Sequence, residues 1–372
     1  MKFVDLNSQF KTLESEIRQS IDRVLAHGQF IMGPEVQQLE QELCEYCDVK
    51  HTISAASGTD ALLMVLMAYG IGPGDAVIAP PFTFVATAEV IQLLGATTVF
   101  VDVEEDSFNI DPVELERTVL RVKQEGKLNL KGIIPVDLFG LPADYDAIER
   151  IAEEHGLFVL EDAAQGFGAE YHGKRTGGFG HIAAASFFPA KPLGCYGDGG
   201  AVFTNDDNLA DIIESIRFHG KGTTQYDNIR TGITGRMDTI QAGILSCKLA
   251  VFDEELMARQ KVADRYTEAL SHLVKTPVVP EGYKSSWAQY TIRSEKRDQI
   301  QQHLKEKGIP SAIYYICPLH LQPAFKDADG AGITMPISEQ LSQEVLSLPI
   351  HPYLESHDQQ RIIDEVSAAF LG

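Results

Sequence analysis

The stretch Ala183-Ala-Ala-Ser186-Phe-Phe-Pro-Ala-Lys191-Pro-Leu-Gly-Cys-Tyr-Gly-Asp-Gly-Gly200-Ala-Val-Phe-Thr204 sets one lysine between two short apolar runs. Ala183–Phe188 and Gly200–Thr204 each have the length and composition of a strand. Gly194, Gly197, Gly199 and Gly200 let the backbone turn tightly between them, and Pro192 biases Lys191 away from the helical region. An amine in apolar surroundings is desolvated, which disfavours the ammonium, lowers the pKa and frees the lone pair for attack. The setting suits a Schiff-base lysine. Taken alone it also suits a surface lysine on a glycine-rich loop, so the rest of the chain has to decide.

Outward from this stretch, short apolar runs alternate with helical patterns. Strands are expected at His51–Ala55, Ala76–Ala79, Thr97–Val103, Gly132–Leu138 and Leu157–Glu161, and helices at Thr59–Tyr69, Thr83–Leu94, Ala143–His155 and Asn208–Phe218. Such alternation predicts an α/β fold built on a mostly parallel sheet. From Arg236 the pattern changes to a long helical segment, Met237 toward His272, followed by a strand at Ala288–Ile292 and helices at Arg297–Lys307 and Gln359–Leu371. A large domain over residues 1–245 and a smaller α+β domain over 246–372 are therefore expected, consistent with 372 residues exceeding what one core usually serves.

The balance of 31 basic against 53 acidic residues gives a net charge of −22, which opposes binding to nucleic acid or an anionic membrane surface. Lys2-Phe-Val-Asp5 runs into a polar segment with no apolar signal-peptide core, and no window has the apolar length of a membrane span, so a cytoplasmic protein is expected. The 5 cysteines form no disulfide framework. Cys44-Glu-Tyr-Cys47 has CxxC spacing but lies in an amphipathic helical stretch with no second cysteine pair or histidine cluster, and no metal is expected.

Open α/β sheets bind ligands at the carboxyl ends of their strands, so the polar residues just after the strand runs are the candidates. Gly58-Thr59-Asp60 opens a helix and offers free backbone N–H groups and a hydroxyl to a phosphate, or serves as an ordinary N-cap. Glu161 and Asp162 end a strand. Either could face a site by alternation, and the nearby Gln165 favours Asp162, whose carboxylate can hold a proton on a pyridine nitrogen and keep the ring an electron sink. Ser186 can offer a second hydroxyl to a phosphate, and Phe84 can cover a flat ring or simply fill the core. Arg236 can fork onto a substrate carboxylate or make a structural ion pair.

These residues lie in segments that resemble the DegT/DnrJ/EryC1/StrS group of sugar-nucleotide aminotransferases, pyridoxal 5'-phosphate enzymes of fold-type I. The segments are Gly28-Gln-Phe-Ile-Met-Gly33-Pro-Glu-Val, Ser57-Gly-Thr-Asp-Ala-Leu62, Thr83-Phe-Val-Ala-Thr87, Glu161-Asp-Ala-Ala-Gln165, the Lys191 run, Arg236-Met-Asp-Thr-Ile-Gln-Ala242 and Pro318-Leu-His320, spread over nearly the whole chain. The Lys191 run is most similar to the subgroup that aminates C3 of UDP-2-acetamido-2-deoxy-3-oxo-glucuronate. The resemblance implies a homodimer with the active site near the interface, glutamate as amino donor with 2-oxoglutarate as its product, a UDP-sugar substrate and a role in surface polysaccharide biosynthesis. Amination at C4, a dTDP- or GDP-linked sugar and a catalytically silent regulator are the alternatives.

By position the resemblance implies Lys191 as the Schiff-base lysine, Asp162 on the ring nitrogen and Gln165 near the ring hydroxyl. It further implies Phe84 stacked on the ring, Gly58, Thr59 and Ser186 at the phosphate, and Arg236, Tyr314, Tyr315 and His320 toward substrate. Two positions depart from the family pattern. Thr234 stands where an asparagine usually reaches the partner subunit's phosphate, and Tyr314 precedes Tyr315 where a histidine is frequent.

Overall fold

The computed structural model describes residues 1–224, 226–330 and 332–371. Its strands are His51–Ala55 (β1), Asp75–Ala79 (β2), Thr97–Phe100 (β3), Asn129–Ile133 (β4), Phe158–Asp162 (β5), Glu170–Tyr171 (β6), Lys174–Arg175 (β7), Ile182–Ser186 (β8), Gly200–Thr204 (β9), Tyr283–Lys284 (β10), Tyr290–Arg293 (β11) and Val345–Leu348 (β12). Seven of them form the central sheet in the order β1-β9-β8-β5-β4-β2-β3. β9 runs antiparallel to both of its neighbours, while the pairs β8–β5, β5–β4, β4–β2 and β2–β3 are parallel. The antiparallel pairing follows from the connection: the segment from Phe187 to Gly199 turns back without a crossover helix, so β9 must run against β8.

Helices cover both faces. Gly58–Ala68, Ala86–Leu93 and Asp207–Arg217 pack on one face against Ile53, Val77, Leu160, Ala184 and Val202. On the other face, Pro112–Glu125 and Tyr145–His155 meet Ile78, Val99, Ile133 and Val159, while Pro34–Cys47 and Thr239–Leu249 meet Ala183, Ala185 and Phe203. Local chemistry sets their ends. Ser57 caps the first of these helices through Asp60 N–H, Asp144 caps another through Ala147 N–H, and Gly156 closes it at φ +66°. A separate core holds the second lobe, where β11 and β12 pair beside the helices Phe252–Leu270, Arg297–Glu306 and Ser356–Leu371, and its buried members run from Val262 to Ala369.

The expected elements are present with shifted ends. β4 begins at Asn129 and stops at Ile133 because Pro135 has no N–H to continue the ladder; pairing resumes as a single bridge between Val136 and Asp162. β3 stops at Phe100. The helix expected from Met237 toward His272 is two helices, Thr239–Leu249 and Phe252–Leu270, separated where Val251 leaves helical geometry at φ −114°, ψ 6°. The helix Pro112–Glu125 was not expected, although Asp111 before Pro112 is a start signal and Gly126 a stop signal.

Register places the site. Gly200 faces Ala55 on one side and Ser186 on the other, and Asp162 is level with Ala184. The carboxyl ends of β1, β5 and β8 therefore share one edge.

Candidate active site

At that edge lies a cleft of about 630 Å³, a volume usual for small-molecule sites. Gly58, Thr59, Phe84, Asp162, Gln165, Ser186, Lys191, Tyr314 and Tyr315 all line it. Lys191 comes from the loop between β8 and β9. Burial holds its ammonium below the ordinary lysine range, and the charge of Asp162 pulls the other way. The loop is clamped from the helix Thr239–Leu249: Lys248 Nζ donates to Gly194 O at 2.5 Å, and Gln241 Oε1 accepts from Tyr196 N–H at 2.8 Å. These two residues are seven apart, so one helical face makes both contacts.

Asp162 is the last residue of β5 and is 4% exposed. Its Oδ2 accepts from Thr87 Oγ1 at 2.8 Å and its Oδ1 from Ala164 N–H at 3.2 Å. Burial raises its pKa, while these two donors and Lys191 oppose the rise. Glu161 points the other way, as strand alternation requires, and accepts from Gly177 N–H at 2.7 Å and Phe179 N–H at 2.8 Å.

Across the cleft, the helix Gly58–Ala68 presents its N-terminus. Ser57 takes Asp60 N–H at 3.0 Å, which leaves the earlier N–H groups of Gly58 and Thr59 aimed outward beside the Thr59 and Ser186 hydroxyls. Only glycine fits at position 58, since a Cβ there would stand 2.6 Å from Ser186 Cβ. Phe84 is 53% exposed, an apolar ring face turned into the cleft instead of the core. Gln165 is pinned at both ends of its amide, with Oε1 accepting from Phe139 N–H at 2.9 Å and Nε2 donating to the Tyr315 hydroxyl at 3.1 Å.

Three expected residues lie outside this cleft. The Thr234 hydroxyl is 2.8 Å from His219 Nε2, on the segment leading to the helix Thr239–Leu249. Arg236 stacks its guanidinium over Phe218 at 5.2 Å, with Nε unpartnered among the described residues. His320 is 2% exposed and its Nε2 is 3.3 Å from Glu339. Thr83, Thr87 and Gln289 line the cleft without having been singled out in the sequence. Thr83 lies before the helix Ala86–Leu93, and its hydroxyl is 3.2 Å from that of Thr87 only through the turn that leads into it, so neither these two nor Gln289 carried a local signal.

The chain matches the DegT/DnrJ/EryC1/StrS aminotransferase family over residues 11–367. It belongs to that family. It is 47% identical over 357 residues to the UDP-2-acetamido-2-deoxy-3-oxo-D-glucuronate aminotransferase of Pseudomonas aeruginosa, covering 96% of each chain. Its fold superposes with a TM-score of 0.98 on a DegT DnrJ EryC1 StrS aminotransferase from Brucella abortus, at 53% identity and covering 100% and 99% of the two chains. The TM-score is 0.94 with S. venezuelae DesV in complex with a ketimine intermediate, at 38% identity and 99% and 98% coverage.

The protein is thus a pyridoxal-phosphate-dependent transaminase of fold-type I. The cleft fits that cofactor. It offers a cradle of N–H groups and hydroxyls closed by Gly58, an open aromatic face, a buried carboxylate and a desolvated amine. Among the described residues no cluster suited to a metal ion occurs, and no helix is long and apolar enough to cross a membrane.

Proposed function

We propose that this aminotransferase moves an amino group from glutamate to C3 of UDP-2-acetamido-2-deoxy-3-oxo-glucuronate or a close relative, a step serving surface polysaccharide synthesis. The observation that carries the catalytic part is the desolvated Lys191 amine in one cleft with the buried Asp162 carboxylate and the helix-end cradle at Gly58. The named activity of the 47% identical relative supports the substrate part.

When bound, pyridoxal phosphate supplies the carbonyl that takes the amino group and the ring that acidifies the donor's Cα proton. The residues of the chain do the rest. Gly58 and Thr59 N–H groups, with the Thr59 and Ser186 hydroxyls, hold the phosphate at the positive end of a helix. Asp162, whose anion Thr87 and Ala164 favour against the effect of burial, would hold a proton on the ring nitrogen. Phe84 covers one ring face and excludes water from it. Lys191 would anchor the cofactor, and its amine, held below the ordinary lysine range by burial, would take the proton from the donor's Cα and return one in the second half-reaction.

Lys191 is the one Lys or Arg among the described residues of the cleft lining, so the carboxylates of donor and uronate need cations from elsewhere. Arg236 is assigned that part across a homodimer interface, with Thr234 beside it toward the partner's phosphate. In support, Tyr226 and Ile229 on the same segment are 89% and 58% exposed, an apolar tip suited to a second copy.

Purified protein should show the absorbance of bound cofactor, and Lys191→Ala should lose both that band and turnover. Glutamate should bleach the band and a panel of keto-sugar nucleotides should restore it, with the amino product read by mass. Failure to bind cofactor rejects the whole reading, and restoration only by a C4-keto or dTDP-linked sugar rejects the substrate. Arg236→Lys should raise KM for the uronate more than for its uncharged analogue; equal effects reject that assignment.

A further inference from the structure

The cleft has one wall from the second lobe, and that wall includes Gln289. The strap before it is fastened to the large lobe's site loops: Ser286 N–H donates to Gly140 O at 2.9 Å, Ser286 Oγ to Gln165 O at 2.7 Å and Gln289 N–H to Phe139 O at 3.3 Å. The approach is close enough that a Cβ at Gly140, which has φ +103°, would stand 2.5 Å from Ser286 Oγ and 2.8 Å from Trp287 N. Trp287 is anchored in turn by its Nε1 donating to Gln260 Oε1 at 2.7 Å. The backbone at Gln289 is therefore held firmly, yet its side chain is not satisfied. Gln289 Oε1 is buried and meets no partner among the described residues.

Buried polar atoms in folded proteins nearly always have partners. Gln289 lines both the cleft and a small apolar pocket beside Phe108 and Leu141, and turning its carboxamide toward the cleft would give Oε1 a partner on a ligand. The amide is neutral. It contributes little to recognising the two carboxylates of glutamate, which call for a guanidinium or ammonium, and it is well matched to a hydroxyl or an amide. Beside it, the Tyr315 hydroxyl oxygen already accepts from Gln165 Nε2 at 3.1 Å.

We propose that Gln289 is a specificity-determining residue whose carboxamide hydrogen-bonds a hydroxyl or the acetamido group of the substrate's sugar ring. The proposal rests on the nucleotide-sugar reading above, and it extends recognition to the second lobe, so that the sugar is gripped by both lobes.

The test is calorimetric titration of holoenzyme, wild type and the variants Gln289→Leu and Gln289→Met, with UDP-N-acetylglucosamine and with UDP alone. The second variant keeps the length and flexibility of the side chain should the first disturb the strap. Both variants should bind UDP-N-acetylglucosamine about ten-fold more weakly, the size of one hydrogen bond lost with its partner left buried, and UDP as before. Single-turnover conversion of the cofactor by glutamate should keep its wild-type rate. Equal weakening toward both nucleotides, no weakening, or a slowed glutamate half-reaction with sugar binding intact would overturn the role of Gln289. Wild-type protein that binds neither nucleotide would overturn the nucleotide-sugar reading and this proposal with it.

Discussion

Thr87 donates its hydroxyl hydrogen to Asp162 Oδ2 at 2.8 Å, and both side chains are buried. Burial alone would favour the neutral acid at position 162, and this bond is one of three influences that favour the anion. Removing it in Thr87→Val should move the acid limb of the kcat/KM profile to higher pH, because the carboxylate proposed to hold the ring nitrogen's proton would be lost sooner on acidification. A bond to a charged group contributes about 1.5 kcal/mol, so cofactor affinity should fall roughly ten-fold. Thr87→Ser should restore both, and an unmoved acid limb would show that Thr87 only fills space.

Lys248 is fully buried, and its pKa is lowered to about 8, mainly by desolvation. Between about pH 8 and the ordinary lysine value the unfolded chain binds the proton that the native state has lost, so stability should rise with pH across that window and be flat below it. Lys248→Met should lack this rise in urea melts from pH 7 to 10. The Gly194 carbonyl would also lose its donor, and the loosened loop should bind cofactor several-fold more weakly.

Asp137 and Glu161 form a fully buried pair of carboxyl groups behind Asp162. Burial pushes Asp137 up to about 7 and Glu161 well above its usual range, and each is further raised by a neighbouring acid. Asp137 Oδ1 accepts from Ala143 N–H and the Tyr145 hydroxyl, while its Oδ2 has no protein donor among the described residues. The native state therefore retains a proton that the unfolded chain releases near pH 4. Stability should fall as pH rises from about 4 to about 7. Asp137→Asn supplies a donor without a titrating proton, and its melts should show a weaker pH dependence and higher stability at pH 8. A wild-type curve that is level over that window would contradict the shared-proton arrangement.

Gly58→Ala places a Cβ 2.6 Å from Ser186 Cβ, at the point where the helix end and β8 come together. The expected result is a drop in cofactor affinity of at least ten-fold, seen as loss of the bound-cofactor absorbance on dilution. The apoprotein should melt only slightly earlier, by the cost of overpacking one site, about 1–3 kcal/mol. Unchanged affinity would mean that the cradle does not depend on the close approach of Gly58.

The features legible in the sequence were those carried by contiguous residues. The strand and helix order followed from short-range periodicity, the Gly58–Thr59 cradle from a helix start after a strand, and the choice of Asp162 over Glu161 from strand alternation beside Gln165. Element ends moved where one residue overruled the pattern, as Pro135 did for β4 and Val251 for the long helix. Thr87 was hidden because the helix begins at Ala86, not Thr83, and only the packing of that helix against β5 turns its hydroxyl to Asp162.

The sequence by itself determined that the chain is an α/β protein with Lys191 on a loop between two strands, since strand alternation, turn-forming glycines and helix caps act within a few residues. Tertiary structure alone decided the rest. It brought Gln289 and Tyr315 from the second lobe to the wall of the first lobe's cleft, packed Asp137 against Glu161, and left Thr234, Arg236 and His320 outside. These outcomes depend on strand register and lobe docking, set by many weak long-range contacts summed over the whole fold, and no local stretch of sequence encodes that sum.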